Sequence, residues 1–208
     1  NNWSICSVSP ELFFSLEGQK LISKPMKGTI KRGVNTNDDL QQSFKLKNSE
    51  KDKAENIMIV DMIRNDLGKI PNISSINTLK KFETESFPTL WQMTSTVEAQ
   101  VKQDSSEIIK AMFPCASITG APKIKTMEII KDLECSPRNI YTGSIGLISP
   151  NRNALFNVAI RTALIDKKTN DITYGIGSGI VWDSQEKDEY DETLLKSKIM
   201  LDQYSNFD

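Results

Sequence analysis

The 208-residue chain contains no histidine. That removes the commonest general base and the commonest ligand for transition metals. Acid–base chemistry would have to fall to carboxylates, lysine or tyrosine. A metal site would be built from oxygen, which favours Mg2+ or Mn2+ over Zn2+. Cysteine is sparse: Cys6, Cys115 and Cys135 are scattered, with no CxxC pair. Such a set fits reduced thiols of a cytoplasmic protein, serving packing rather than chemistry. No apolar run reaches the roughly 18 residues of a membrane span, and nothing at the start reads as a signal peptide. Repeats and low-complexity stretches are missing. With 26 Lys and Arg against 27 Asp and Glu, the formal charge is −1, so no charge excess points to nucleic acid or a membrane surface as partner.

The chain does not open on methionine, and Trp3 to Val8 already reads as a strand. We therefore expect a fragment whose N-terminal part is missing. Ser4 to Met26 reads as two strands joined at Glu17-Gly18, with Pro10 at an edge or bulge and Glu11 able to point inward. Pro25 to Thr29 reads as a turn-rich exit from the second strand, holding Lys27. Asn35 to Glu50 is polar, a loop or a weak helix. Ser49-x-x-Asp52 then forms a capping arrangement, and the helix behind it carries Met58, Ile59, Met62 and Ile63 as an apolar stripe. Glu55 lies one turn ahead on the same side, and Gly68 closes the helix.

Ser74 to Glu83 is strand-like, Pro88 to Ala99 is an ordered segment, and Ser105 to Met112 is an amphipathic helix. Phe113 to Lys123 is a small-residue loop opening onto a helix, KIKTMEIIKDLE, where Ser117 and Thr119 could face an anion. Three further strands follow: 144–148, 154–164 and 171–176. Arg161 interrupts the apolar run of the second, where a guanidinium needs an anion. Without strict βαβ alternation, the class is α+β rather than a doubly wound sheet.

Tyr174 to Lys198 reads as a strand, a glycine turn, an acidic loop and a helix. Gly175, Gly177 and Gly179 alternate, leaving one backbone face without side chains and its N–H groups open to a ligand. Glu189, Glu192 and Lys196 fall at i, i+3 and i+7 of the helix, one face. An amide surface beside two carboxylates and an ammonium suits an anionic ligand bridged by a divalent cation. A strand end followed by a solvated, charge-paired helix is the plainer alternative.

The segments SPELF, PMKGT, AENIMIVDMIRNDLG, SITGAPK, IYTGSIG, NVAIRT, GIGSGIV and DEYDETLLKSK follow one another in an order that resembles the chorismate-utilising enzymes, over nearly the whole chain. The resemblance implies a layered α+β fold of large antiparallel sheets packed with helices, and a Mg2+-dependent site. Residues 1–208 would be a chorismate-binding catalytic domain, partial and lacking its N-terminal segment. By that likeness, Glu55, Glu189 and Glu192 would hold Mg2+, which would grip the ring carboxylate of chorismate. Tyr141 and Arg161 would meet the enolpyruvyl side. Gly177, Ser178, Gly179 and Lys196 would contact a carboxylate. Gly28, Thr29 and Ser117 would line the same pocket.

Lys27 separates the branches of the family. PMKGT resembles the aminodeoxychorismate synthase branch, whereas anthranilate synthases have alanine at this position. The resemblance implies that Lys27 attacks C2 of chorismate as the 4-hydroxyl leaves, and that ammonia then displaces it at C4. Glu11 would be the general acid and later the base. The ammonia would come from a glutamine amidotransferase subunit or domain, on the route to p-aminobenzoate and folate. Many members carry a histidine where this chain has Gln92, which further weakens the anthranilate branch. The alternatives are anthranilate synthase component I and an inactive chorismate-binding fragment.

Overall fold

The computed structural model describes residues 2–182 and 184–201. In chain order the elements are β1 (Trp3–Ser7), β2 (Leu12–Glu17), β3 (Lys20–Lys24), β4 (Met26–Lys31), α1 (Thr36–Lys47), α2 (Glu50–Leu67), β5 (Ser75–Ser86), β6 (Leu90–Gln100), α3 (Ser105–Met112), α4 (Lys123–Leu133), β7 (Ser144–Ile148), β8 (Ala154–Val158), β9 (Thr162–Asp166), β10 (Asp171–Tyr174) and α5 (Glu186–Leu201). The class is α+β, and every strand pair is antiparallel. The chain divides into two compact units. One comprises residues 11–137 and 144–158; the other comprises residues 1–10, 138–143 and those from 159 onward.

In the first unit, β6 is the spine of a seven-stranded sheet ordered β4-β6-β3-β2-β8-β7, with β5 also on β6. Met93, Ser95, Val97, Ala99 and Val101 are buried at every second position, the period that turns one strand face to a core. β3 and β4 pair with successive halves of β6. Pro25, which has no N–H to give to a ladder, sits at their joint. Pro25 to Thr29 is thus not a turn, as the sequence suggests, but the start of a second paired strand. Helix α2 packs on β4, β5 and β6. Its buried stripe is Asn56, Ile59, Val60, Ile63, Asp66 and Leu67. The expected stripe is displaced by part of a turn: Ile59 and Ile63 are in it, while Met58 is 39% exposed. Ser49 caps the helix by accepting from the Asp52 N–H at 3.3 Å, as the sequence predicts.

Helix α1 exceeds the weak helix its polar sequence predicts. Asn35 caps it, and Asp39 anchors it by accepting from Arg32, the Gly33 N–H and the Trp91 indole. Long-range polar anchoring of this kind leaves no local apolar period to read.

The residue that fastens the loop before α4 is Lys123. Its ammonium donates to Asp66 on α2, to the Met112 carbonyl at 3.0 Å and to the Pro114 carbonyl at 2.7 Å. Lysine and aspartate side chains are only 15% and 5% exposed. Removing one partner of a buried ion pair strands the other, although Lys69 also reaches Asp66, at 2.6 Å. Lys123→Ala is therefore expected to destabilise the fold by about 3 kcal/mol. Urea unfolding monitored by circular dichroism checks it; a midpoint equal to that of the parent would refute the clamp.

The second unit holds the sheet β1-β9-β10 and α5. The sequence suggests that Ser4 to Glu17 and Ala154 to Leu164 are single strands. Each is broken in two. β1 leaves its chain neighbour β2 to pair with β9, and β8 pairs in the other sheet. Arg161 lies in the break between β8 and β9 with φ +49°, not inside a strand. Left-handed backbone stops a ladder, and its carbonyl accepts from the Val8 N–H at 3.0 Å. β10 ends at Tyr174, so Gly175 and Ile176 lie outside it.

Candidate active site

The expected site residues fall in both units. Glu11, Lys27, Gly28, Thr29, Glu55 and Ser117 belong to the first. Tyr141, Arg161, Gly177, Ser178, Gly179, Glu189, Glu192 and Lys196 belong to the second.

In the first unit, Glu11 begins the segment that runs into β2 and is 6% exposed. Burial pushes its carboxyl from the ordinary 4.5 up to about 7, against the opposing pull of the Ser117 hydroxyl, the Lys27 ammonium and the Met26 N–H. A buried carboxyl with this midpoint can both give and take a proton near neutrality. Lys27 is half-buried at the start of β4. The β4–β6 register slips between Met26 and Thr29, a bulge that re-aims side chains relative to a regular ladder. Gly28 makes the bulge feasible: its φ is +86°, and a Cβ there would come within 2.9 Å of the Asp52 side chain. The bulge is thereby seated on the first turn of α2. Half-buried Glu55 follows Asp52 by three residues, on the same helix face. Thr29 is exposed and pairs with Gln92.

Ser117 lies in a single 3-10 turn, Ala116–Ile118. Its hydroxyl is engaged by Glu11 and by the Cys115 thiol at 3.2 Å. Thr119 donates to the Cys115 carbonyl at 3.1 Å. These hydroxyls serve internal partners rather than opening an anion site at the start of α4. Cys115, read from the sequence as packing, is buried among these groups. Burial, with the Glu11 charge beside it, pushes its thiol up to about 12. Nothing in the spacing of a lone cysteine signals that neighbour.

In the second unit, the alternating glycines are there for close approach. A Cβ on Gly175 would lie 2.3 Å from the Tyr141 ring, and one on Gly177 would lie 3.0 Å from the Tyr141 hydroxyl. At these two glycines, Tyr141 lies on the side a Cβ would occupy. The Arg138 guanidinium lies 5.8 Å from the centre of that ring, within cation–π range. Ser178 is half-buried and Gly179 exposed. Arg161 is half-buried and opposes, through its charge, the upward push that burial gives the Tyr174 phenol. The Tyr174 hydroxyl is buried with no hydrogen-bond partner among the described residues, a feature the sequence did not flag.

Helix α5 carries Glu189, Glu192 and Lys196 as expected. The Lys196 ammonium donates to the Gly177 carbonyl at 2.9 Å and to Glu192 at 2.5 Å. Glu189 accepts from the Ser184 hydroxyl at 2.6 Å. Among the described residues, no three carboxylate or thiol groups cluster to hold a metal by themselves. Glu189 and Glu192, a turn apart, nevertheless fit a hard cation that keeps several waters and takes only one or two carboxylates. The bridge from half-exposed Glu192 to Lys196 is of the weak kind that yields to a competing ligand.

Comparison with known proteins shows the family of the chain. The profile of the family described as "chorismate binding enzyme" matches residues 1–202. A probable chloroplastic aminodeoxychorismate synthase of Oryza sativa subsp. japonica is 44% identical over 200 residues, 95% of this chain and 22% of that protein. Aminodeoxychorismate synthase component 1 of Escherichia coli (strain K12) is 41% identical over 202 residues, 96% of this chain and 44% of that protein. Among solved structures, anthranilate synthase component I from Streptococcus pneumoniae TIGR4 superposes with a TM-score of 0.83 at 31% identity, over 95% of this chain and 43% of that one. The chain thus spans less than half the length of these relatives.

Proposed function

Since the chain belongs to the chorismate-binding enzyme family, we propose that it is the catalytic part of an aminodeoxychorismate synthase, which aminates chorismate at C4 to 4-amino-4-deoxychorismate. The observation that carries this reading is the pair Glu11 and Lys27. A buried carboxyl with its midpoint near 7 lies within the field of a lysine held on a glycine bulge. The identity to aminodeoxychorismate synthases, above 40%, supports the same branch.

The Lys27 ammonium first gives a proton to solvent, and the neutral amine then adds to C2 of the ring. The two ring double bonds shift, and the C4–O bond breaks. Protonated Glu11 gives its proton to the departing hydroxyl, which leaves as water. Ammonia then adds to C4, the double bonds shift back, and the C2–N bond to Lys27 breaks. Glu11, now a carboxylate, takes the proton that the incoming ammonia must lose. One group serves both directions because its midpoint lies near the working pH. Arg161 and Tyr141 bind the enolpyruvyl side. Lys196, Ser178 and the backbone at Gly177 and Gly179 take a carboxylate. Gly28, Thr29 and Ser117 line the pocket. Glu189 and Glu192 would hold Mg2+, which when bound would neutralise and orient the ring carboxylate, and the resemblance to the family adds Glu55 to that set.

Ammonia comes, in this reading, from a glutamine amidotransferase subunit or domain, and the product leads to p-aminobenzoate and folate. The three cysteines are free thiols and no described helix is long and apolar enough to cross a membrane; both suit the cytoplasmic place we assign. Mass spectrometry of the products from chorismate, Mg2+ and ammonium tests the reaction. 4-Amino-4-deoxychorismate is expected. Anthranilate with pyruvate would move the chain to the other branch, and chorismate bound but unchanged would leave only a binding fragment.

A further inference from the structure

The loop that carries Ser117 does more than line a pocket. Ser117 has one hydroxyl proton and two lone pairs. It lies between two neighbours, the Glu11 carboxyl and the Cys115 thiol, the latter at 3.2 Å. A carboxylate can only accept, so the single serine proton goes to Glu11. The serine oxygen is then left to accept, and the thiol is the donor to it. With Glu11 ionised, the direction of the chain is therefore Cys115 to Ser117 to Glu11. Cys115 is 6% exposed, and its thiol keeps its proton across the physiological range. The loop is held from behind, since the Lys123 ammonium grips the Pro114 carbonyl on one side and Asp66 of α2 on the other.

We propose that Cys115 and Ser117 form a two-step hydrogen-bond relay that positions the Glu11 carboxyl, engaging one of its oxygens so that the other is the one that exchanges a proton with substrate. Both are positioning residues; neither Cys115 nor its thiol chemistry enters the reaction. The inference rests on the acid–base role given to Glu11 above. The other charged groups facing this cluster are Lys27 from β4, which pulls the carboxyl down, and Lys123, which acts on the thiol. Ser117 donates to the ionised form of Glu11 and so favours it. Taking that donor away disfavours ionisation. Taking away the thiol weakens the serine's donation, because hydrogen bonds in series polarise one another.

The test is a pair of titrations on the full chain. Protein labelled with 13C-glutamate reports the Glu11 carboxyl by NMR, assigned by difference against Glu11→Gln. The midpoint is expected to rise in Ser117→Ala by about one pH unit and by less in Cys115→Ala, with Cys115→Ser, which keeps a donor, close to the parent. The alkaline limb of kcat/KM for chorismate should move up with it, since Glu11 must start protonated. A raised KM in Ser117→Ala with both midpoints unmoved would overturn the relay and leave Ser117 as a substrate contact only. A Cys115→Ser variant no closer to the parent than Cys115→Ala would remove Cys115 from it. The NMR titration needs no turnover. Shifted midpoints in a parent that makes no amination product would therefore sink the proposed reaction while the relay stood.

Discussion

Lys27→Ala is expected to lower amination of chorismate by at least about 10³-fold, the scale seen when a covalent nucleophile is removed. Chorismate binding should persist, because Arg161, Tyr141 and Lys196 remain. The loss has two readings: a missing nucleophile, or a missing positive charge beside Glu11, since the Lys27 ammonium helps to hold that carboxyl down. Lys27→Arg separates them. Arginine restores the charge, but its guanidinium keeps its proton and cannot attack carbon. The account predicts that the arginine variant is as inactive as the alanine variant, measured by product formation at saturating ammonium. Recovery of activity in Lys27→Arg would reduce Lys27 to an electrostatic role.

The second large effect comes from Glu11, where stability and turnover should move in opposite directions. Glu11→Gln removes the proton carrier, and turnover should fall by about 10² to 10⁴-fold. The same change should make the fold more stable in alkaline solution. The Glu11 carboxyl is raised from 4.5 to about 7 on folding, so between these values the folded state holds the proton that the unfolded state has lost. Stability therefore falls as pH rises from about 4.5 to 7, and the full cost of a buried carboxylate is present above 7. Glutamine carries no charge to bury. At about 1.36 kcal/mol per pH unit, Glu11→Gln should exceed the parent by roughly 3 kcal/mol at pH 8 and by little at pH 4.5. Urea midpoints at the two pH values check this. A parent at least as stable as the variant at pH 8 would show that burial does not hold the Glu11 carboxyl above its ordinary range.

Much of the fold was legible because local chemistry and tertiary structure agree. Ser49 reads as a cap and caps. Glu17-Gly18 reads as a hairpin turn and joins β2 to β3. Glu189, Glu192 and Lys196 read as one helix face, and Lys196 does pair with Glu192. The failures share a cause. Arg161 breaks a strand with a positive φ that neither glycine nor proline announces. Helix α1 owes its place to Asp39 and its partners Arg32 and Trp91, the latter 52 residues away. The glycines after Tyr174 answer to a tyrosine more than 30 residues upstream. Cys115 has meaning only beside Glu11, which is more than 100 residues away in sequence. Each depends on a long-range neighbour, which periodicity and propensity do not encode. The candidate site residues were named through resemblance to a family, and the structure supplied local partners that composition could not.

The measurement that bears most directly on this account is the intact mass of the chain after incubation with chorismate and Mg2+ in the absence of ammonia, followed by peptide mapping. The account predicts an adduct of chorismate less one water, located on Lys27, that disappears when ammonium is added as 4-amino-4-deoxychorismate forms. Amination by a parent that never carries such an adduct, or an adduct on another residue, would contradict it.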